Sequence, residues 1–257
     1  MPLDDEALRR YARHIVLPEI GGVGQARLLD AAVLVVGMGG LGAPLALYLA
    51  AAGIGRLGLV DDDRVDATNL HRQVIFSEAD IGRRKVEAAA DRLRGLASGI
   101  EIEAHALRLD ATNAGSLIAA YDLVADGSDN VATRRAVHDA AMAAGRPLVA
   151  GSVQGVDGQL TLYRAFDGPP HPCLYCLFGG LEDTSSLPSC AQAGVLGPAA
   201  GLMGSLMAIE VVKALVGSGA GLSGTLLHVD TLAPALESLR FGRPPGCAAR
   251  CAHGHPW

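Results

Sequence analysis

This sequence of 257 residues has few aromatic side chains, no excess of basic residues and no stretch with the features of a secretion signal. Aromatic residues make up 4% of the chain against 33 glycines, which argues against a β-sandwich and for an α/β fold packed with Ala, Val and Leu. The formal net charge of −6 argues against a broad electrostatic footprint for nucleic acid, so we expect no nucleic-acid partner. The first ten residues begin acidic and lack an apolar core, which excludes a signal peptide there.

Two stretches lack charge altogether, residues 31–55 and residues 191–209. The first is long enough to span a bilayer, but glycine and proline interrupt both. Such interrupted runs predict buried strands, tight turns and core helices rather than membrane spans. We therefore expect a cytoplasmic protein with no membrane partner.

Cysteine is sparse and odd in number, with five in the chain. In a large chain without a secretory signal, this count argues against a disulfide framework. Metal binding or catalysis is the better expectation for these thiols.

Hydrophobic runs alternate with amphipathic segments through the first 150 residues. The predicted strands cover residues 31–37, 56–60, 101–106, 122–125 and 147–150, and the helices between them cover residues 42–52, 82–98, 112–120 and 131–144. This βαβαβ order predicts an α/β fold with a doubly wound, Rossmann-like, mostly parallel sheet.

The alternation of strand and helix patterns ends near residue 151. We expect antiparallel strands at 159–163, after a turn at 156–158, and at 225–229, with a long helix at 198–216 and a short segment near 236–241. An irregular stretch at 164–197 has a length typical of functional or disordered loops. The chain has no internal repeat and no linker-like composition, so we predict one domain over residues 1–257, divided into halves at 31–151 and 152–257.

The first strand runs into a glycine-rich turn of the form G-x-G-x-x-G, which then opens a helix. Its glycines are Gly37, Gly39, Gly40 and Gly42. Glycines there let the backbone approach phosphate oxygens, and the helix N-terminus supplies oriented N–H donors. In this strand–turn–helix context the motif predicts nucleotide binding, the alternative being tight strand–helix packing alone.

Acidic and then cationic residues follow the second strand. Asp61 ends that strand, where a carboxylate can accept the hydroxyls of a ribose, as in nicotinamide-dependent dehydrogenases. Arg72 and Lys85 come soon after it, and a hydride-transfer site does not need such cations. Adenylation does need them, because the departing pyrophosphate carries charge that Arg, Lys and Mg²⁺ must stabilise.

A second acidic tip, Asp126–Asn130, follows the fourth strand. Ligands of this fold bind at the carboxyl ends of the strands, so both tips point into one crevice. Asp129 is a candidate to hold Mg²⁺ on ATP, and Asn130 is a candidate to cap the next helix or touch nucleotide. The plainer alternative makes these two side chains helix caps and the nearby cations surface charges.

Together these motifs resemble the ThiF/MoeB/HesA family of adenylyltransferases, relatives of ubiquitin-activating enzymes, over nearly the whole chain. The resemblance begins with R-Y-x-R-x-I-x-L at residues 10–17. It continues through Gly37–Gly42, Asp61-x-Asp63, Asn69-Leu70-x-Arg72-Gln73, Gly82-x-x-Lys85 and Asp126–Asn130, in the family's order.

The resemblance assigns a role to each of these motifs. It implies that Asp61, with Asp63 in the same motif, holds the ribose, and that Asp129 positions Mg²⁺. The phosphate contacts implied are those of Asn69, Arg72 and Lys85, with Gln73 in the same motif. Arg13 would reach the triphosphate of a neighbouring subunit as an arginine finger, which implies a homodimer, whereas the plainer alternative is an exposed helix charge.

Four cysteines fall into two close pairs, Cys173 with Cys176 and Cys247 with Cys251. Four such thiolates make the closed tetrahedral shell of a structural Zn²⁺ site. A redox C-x-x-C and a chance pairing are the alternatives. The resembling family carries such a site but usually has C-x-x-C in the second pair, so His253 or His255 stays open as a replacement for Cys251.

The fifth thiol, Cys190, resembles the family's acceptor cysteine, which in some members carries the acyl group. A buried, inert cysteine is the alternative. We read no rhodanese-like extension after residue 257, and so expect sulfur to come from a separate protein.

The favoured hypothesis is an ATP-dependent enzyme that adenylates the C-terminal glycine of a small β-grasp, ubiquitin-like sulfur carrier ending in Gly-Gly. The carrier would dock on the second half of the chain. A related enzyme that adenylates a peptide end or a modified tRNA nucleoside is the second hypothesis. A nicotinamide-dependent oxidoreductase or nucleotide-sensing module is the third.

Overall fold

The computed structural model of the chain describes residues 3–178, 194–233, 235–245 and 247. Eight strands in this part of the chain form one sheet: β1 (Ala32–Val36), β2 (Arg56–Val60), β3 (Glu101–His105), β4 (Leu123–Asp126), β5 (Leu148–Gln154), β6 (Asp157–Tyr163), β7 (Thr225–Asp230) and β8 (Ala235–Arg240). Their spatial order is β3-β2-β1-β4-β5-β6-β7-β8. The pairs from β3 to β5 are parallel and those from β5 to β8 antiparallel, which confirms the predicted sheet.

Helices connect the strands and cover both faces of the sheet. They are α1 (Asp5–Arg10), α2 (Ala12–Ile15), α3 (Gly21–Asp30), α4 (Gly42–Ala52), α5 (Lys85–Leu96), α6 (Ala114–Ala119), α7 (Val131–Ala143), α8 (Leu174–Phe178) and α9 (Gly197–Val216). Short 3₁₀ turns, Ala67–Asn69 and Glu78–Asp80, lie between β2 and α5 and were not predicted.

Strand β1 is third of the eight strands and the middle one of the five parallel-paired strands, and it is buried on both faces, as its uninterrupted apolar sequence predicts. Val33 and Val35 belong to the core on one face, and Leu34 and Val36 to the core on the other. The strand order reverses here, since β2 lies on one side of β1 and β4 on the other. In doubly wound folds, the crevice for the ligand forms at this reversal.

The antiparallel part starts with a tight hairpin between β5 and β6. Gln154 pairs with Asp157, and the turn is made by Gly155, with φ +62°, and Val156. The prediction of a turn at 156–158 was therefore wrong: Asp157 and Gly158 already belong to β6.

By length and composition alone, helix α9 could cross a membrane. In the fold, however, it packs against β5, β6 and α4, and Met203, Met207 and Val211 on this side are fully buried. A central core helix of this kind agrees with the sequence prediction for the uncharged run.

Candidate functional site

The carboxyl ends of the parallel strands open onto a cleft of about 820 Å³. Most of the nucleotide-site residues predicted from sequence line this one cleft. They are Gly37, Gly39, Gly40, Asp61, Asp63, Asn69, Arg72, Gln73, Lys85, Asp129 and Asn130. Gly42 and Arg13 are predicted site residues that do not line it.

The glycine loop between β1 and α4 needs glycine at two places for different reasons. Gly37 has φ +86°, a left-handed conformation that side chains disfavour. A Cβ on Gly42 would lie 1.8 Å from the carbonyl oxygen of Gly37, so only a bare α-carbon lets α4 begin there. A Cβ on Gly39 would meet nothing nearer than the Gln73 Nε2 at 3.9 Å. Gly42 is thus needed for the loop to fold against α4, whereas the missing side chain of Gly39 leaves space in the cleft.

The carboxylate of Asp61 ties the glycine loop to the tip of β2. It accepts hydrogen bonds from the backbone N–H of Met38 at 2.7 Å and of Asp63 at 2.8 Å. Burial raises the pKa of Asp61, while the charge of Lys85 and these two bonds act in the opposite direction. Asp61 therefore has a structural task that the sequence did not reveal, and ribose binding stays a prediction.

Lys85 is the first residue of α5, and it lines the cleft. Its side chain is 6% exposed, and its Nζ lies 2.8 Å from the Oδ2 of Asp63, which is 67% exposed. A buried ammonium is costly without a partner, and Asp63 supplies one. The pair leaves a cation fixed in the cleft wall, where an anionic ligand would meet it.

Arg72 lies across the glycine loop. A Cβ on Gly40 would be 3.6 Å from the Arg72 Cγ, so the stem of this side chain covers the loop. The Arg72 Nη1 donates to the carbonyl oxygen of Thr68 at 3.0 Å and lies 2.8 Å from the His71 Nε2. A guanidinium held in this way suits binding of phosphate oxygens.

Gln73 carries a polar atom for which the described part of the chain provides no partner. The residue is 3% exposed, and its Oε1 accepts no hydrogen bond from any described residue. A buried acceptor without a donor is costly, and in a cleft it marks a place for a ligand or water hydrogen. This atom, the open glycine loop and the two cations are suited to bind a nucleoside triphosphate.

The second acidic tip contains one buried and one exposed carboxylate. Asp126 is 1% exposed, burial raises its pKa, and it accepts from the backbone N–H of Ser128 at 2.8 Å. Asp129 is exposed in the cleft, where it is available to a cation. Asn130 accepts from the Thr133 N–H at 2.8 Å and so caps α7, as one of the sequence alternatives proposed.

The sequence reasoning did not identify Arg134 as a cleft residue. Its Nη2 donates to the carbonyl oxygens of Ser128 at 2.5 Å and Gly151 at 2.8 Å, which joins the tip of β4 to β5. The sequence did contain a signal for this role. Arg134 lies one helical turn after the cap Asn130 and therefore faces the same edge of the sheet.

Arg13 lies on the surface, in the short helix α2. Its neighbour His14 fixes this helix to α3, with the Nδ1 3.0 Å from the Gln25 Oε1. Arg13 lies outside the cleft of its own chain, and its role as a finger for another subunit stays a prediction.

Three of the predicted metal ligands, Cys173, Cys176 and Cys247, converge. Their Sγ atoms are separated by 3.5, 3.7 and 3.0 Å. Tetrahedral zinc with Zn–S bonds of about 2.3 Å would place sulfurs about 3.8 Å apart. The two separations from Cys173 are close to this value, and the Cys176–Cys247 separation is shorter, so three corners of such a site form with a small outward shift of one thiol. Cys251, predicted as the fourth ligand, and Cys190 lie outside the described residues.

The chain is similar to a known protein family and to named relatives in it. The ThiF family model matches residues 11–249. The chain is 50% identical to "Adenylyltransferase and sulfurtransferase MOCS3" of Bos taurus over 96% of this chain and 54% of that protein. It is 45% identical to "Sulfur carrier protein adenylyltransferase" of Thermus thermophilus over 94% of this chain and 90% of that protein.

Solved structures of E. coli MccB share the fold. One, with succinimide, has a TM-score of 0.81 at 24% identity and covers 93% of this chain and 73% of that chain. Another, with ATP, has a TM-score of 0.77 at 24% identity and covers 88% of this chain and 68% of that chain. The chain spans about half the length of the bovine relative and most of the length of the Thermus one. On the match over residues 11–249 and these identities, the chain belongs to the ThiF family.

Proposed function

We propose that this protein uses ATP to adenylate the C-terminal glycine of a small ubiquitin-like sulfur carrier. The observation that carries the proposal is the single cleft shared by the glycine loop, two fixed cations (Arg72 and Lys85) and the acidic tip at Asp129. The names of the bovine and Thermus relatives support the same activity.

In the proposed reaction a carboxylate oxygen of the carrier attacks the α-phosphorus of ATP. A new P–O bond forms, the bond to the β-phosphate bridging oxygen breaks, and pyrophosphate leaves with the electron pair. The carboxylate is already ionised at neutral pH, so the step needs no general base. Arg72 and Lys85 would stabilise the charge that develops on the phosphates. Asp61 and Asp63 would hold the ribose, with Asn69 and Gln73 lining the same pocket.

Asp129 is the residue we propose for Mg²⁺, because its exposed carboxylate enters the cleft from the second strand tip. Bound Mg²⁺ would neutralise phosphate charge during the departure of pyrophosphate. Asn130 would contribute by capping α7 and so fixing the position of Asp129.

The far end of the cleft is suited to the tail of the carrier. Ser152, Gln154 and Gln159 supply polar side chains there, with Phe178 and Val195 as apolar neighbours. A Gly-Gly tail is narrow and presents only peptide groups, which such amides and hydroxyls can bind. We therefore propose that the carrier docks on the half of the chain beyond residue 152 and threads its tail toward ATP.

Sulfur would come from a separate donor that attacks the acyl-adenylate. The three described thiols lie together in the cysteine cluster and none lines the cleft, so they are not placed to make this attack. We propose that they hold structural zinc with Cys251, and that Cys190 is the thiol to test for a transient acyl link. We further propose that the enzyme acts in the cytoplasm, where thiols of this kind stay reduced.

ATP–pyrophosphate exchange tests the activity directly. The assay would use a panel of carriers ending in Gly-Gly, each with a control that lacks the last glycine. We expect exchange only with an intact carrier, and a loss of about 100-fold in Arg72→Ala or Asp129→Ala. Exchange that ignores the carrier tail, or NADH binding without ATP turnover, would overturn the proposal.

We further propose a homodimer in which Arg13 completes the site of the partner subunit. Arg13→Ala and Arg72→Ala would each be inactive alone. Mixed and allowed to exchange subunits, they would regain roughly a quarter of the wild-type sites, since half of the dimers would be mixed and each would hold one complete site. No recovery in verified mixed dimers would show that Arg13 does not act across subunits.

A further inference from the structure

The imidazole of His71 touches the guanidinium of Arg72, and the chemistry of the contact fixes its direction. The Arg72 Nη1 lies 2.8 Å from the His71 Nε2. A guanidinium is always protonated and has only donors, so Nε2 must be the acceptor. His71 is therefore neutral when the contact is formed, with its proton on Nδ1.

The backbone that carries His71 is held in place. Arg72 N and Gln73 N both donate to the carbonyl oxygen of Asn69, at 3.1 and 3.0 Å, which makes a tight turn around His71. The carbonyl oxygen of His71 would be only 2.3 Å from a Cβ on Gly197, so the turn lies directly against the first residue of α9. The ring thus projects from a fixed point.

One nitrogen of the Arg72 guanidinium makes both of its hydrogen bonds to described residues. Nη1 donates to the Thr68 carbonyl oxygen as well as to His71, whereas Nη2 and Nε bond to no other described residue. The guanidinium is anchored at one corner and keeps two N–H-bearing nitrogens available for an anion in the cleft.

We propose that His71 is a positioning residue, which orients the Arg72 guanidinium for the phosphates of ATP before the nucleotide binds. The proposal rests on the proposed function, because it takes a nucleotide phosphate as the ligand of Arg72. Holding the long side chain in its binding orientation lowers the conformational entropy that is lost when the phosphates bind. The gain in affinity therefore applies to the phosphates of the ligand and not to its adenosine part.

The test compares His71→Leu, which removes the acceptor, with His71→Gln, which keeps an acceptor of similar reach. Titration calorimetry would measure the affinity of each variant for ATP and for adenosine. We expect His71→Leu to weaken ATP binding roughly tenfold and leave adenosine binding unchanged, and His71→Gln to restore most of the loss. In the Arg72→Ala background, His71→Leu should have no further effect.

Several outcomes would overturn the proposal. They are unchanged ATP binding in His71→Leu, equal losses in the Leu and Gln variants, or equal losses for ATP and adenosine, since a distorted cleft would lose both ligands. These binding measurements need no carrier, so they are separate from the exchange assay. If no carrier supports exchange while the binding pattern holds, the proposed function fails and the role of His71 stands.

Discussion

At the scale of single residues, the glycine loop contains one glycine needed for folding and one needed for the ligand. A Cβ at position 42 would collide with the carbonyl oxygen of Gly37, whereas one at position 39 would meet no atom closer than 3.9 Å. We expect Gly42→Ala to lower the melting temperature by several degrees, since the loop or α4 must move. Gly39→Ala should keep the melting temperature and weaken ATP binding, because its methyl group points into the cleft. Thermal melting and calorimetry separate the two, and equal melting temperatures would contradict the loop geometry.

The buried carboxylate of Asp126 predicts a pH dependence of stability. Burial raises the pKa of Asp126, so the folded protein takes up this proton more readily than the unfolded chain does. Its contribution to the free energy of unfolding therefore falls as pH rises above the unfolded pKa. We expect Asp126→Asn to melt at a higher temperature than wild type at pH 7, with the difference vanishing near pH 4. A less stable variant at pH 7 would mean that attraction to Arg134 outweighs the cost of burial.

The sequence predicted which residues lie at the site, but it did not predict the contacts between them. The motifs placed Asp61 and Asp129 at strand tips and Arg72 and Lys85 in the segments that follow the second strand, and the fold brings all four onto one cleft. The bond from Asp61 to Met38 and the bridge from Arg134 to Gly151 join positions 23 and 17 residues apart, which no local pattern encodes.

At the scale of elements, Asn130 connects helix stability to the cleft. Its side chain caps α7, and loss of such a cap costs about 1 kcal/mol. We expect Asn130→Ala to lower the melting temperature by about 2–4 °C. Asn130→Asp is the matched control, since it keeps the cap but adds a negative charge beside the proposed phosphate site. It should melt like wild type and bind ATP more weakly, and normal ATP affinity would place Asn130 away from the nucleotide.

The periodicity of the sequence predicted which segments are strands and which are helices, but it predicted their ends less accurately. All five parallel-paired strands were predicted, and the continuous apolar runs of β1, β2 and β4 reflect burial on both faces. Strand β3 lies at the edge of the sheet, where only Ile102 of its five residues is buried. The hairpin turn was misplaced because Gly155 and Gly158 are both turn residues by type. Pairing of Gln154 with Asp157 decides between them, and register depends on partners across the sheet.

At the scale of the whole molecule, the cysteine cluster brings Cys247 against the loop that follows β6, and we propose that zinc bound there fastens the two together. We expect about one zinc per chain by elemental analysis. Cys247→Ala should lose the metal and about 2 kcal/mol or more of stability, a drop of about 4–8 °C in melting temperature. Cys190→Ala is the control, and it should keep both metal and stability. Full zinc content in Cys247→Ala would remove this residue from the ligand set.

Helix α7 carries a further consequence, because its N-terminal turn and its middle contact different parts of the molecule. Asn130 and Arg134 lie at the cleft, while the Nε2 of His138 accepts from the Leu174 backbone N–H, 3.1 Å away, beside Cys173. Asp139 accepts from the hydroxyl of Tyr175, which lies between Cys173 and Cys176 in the chain. The helix has 13 residues, a stiff rod of about 20 Å. With zinc in the cysteine cluster, as proposed above, preparations that have lost part of it should therefore contain sites of differing nucleotide affinity, and the zinc content and the fraction of tight nucleotide sites should fall together.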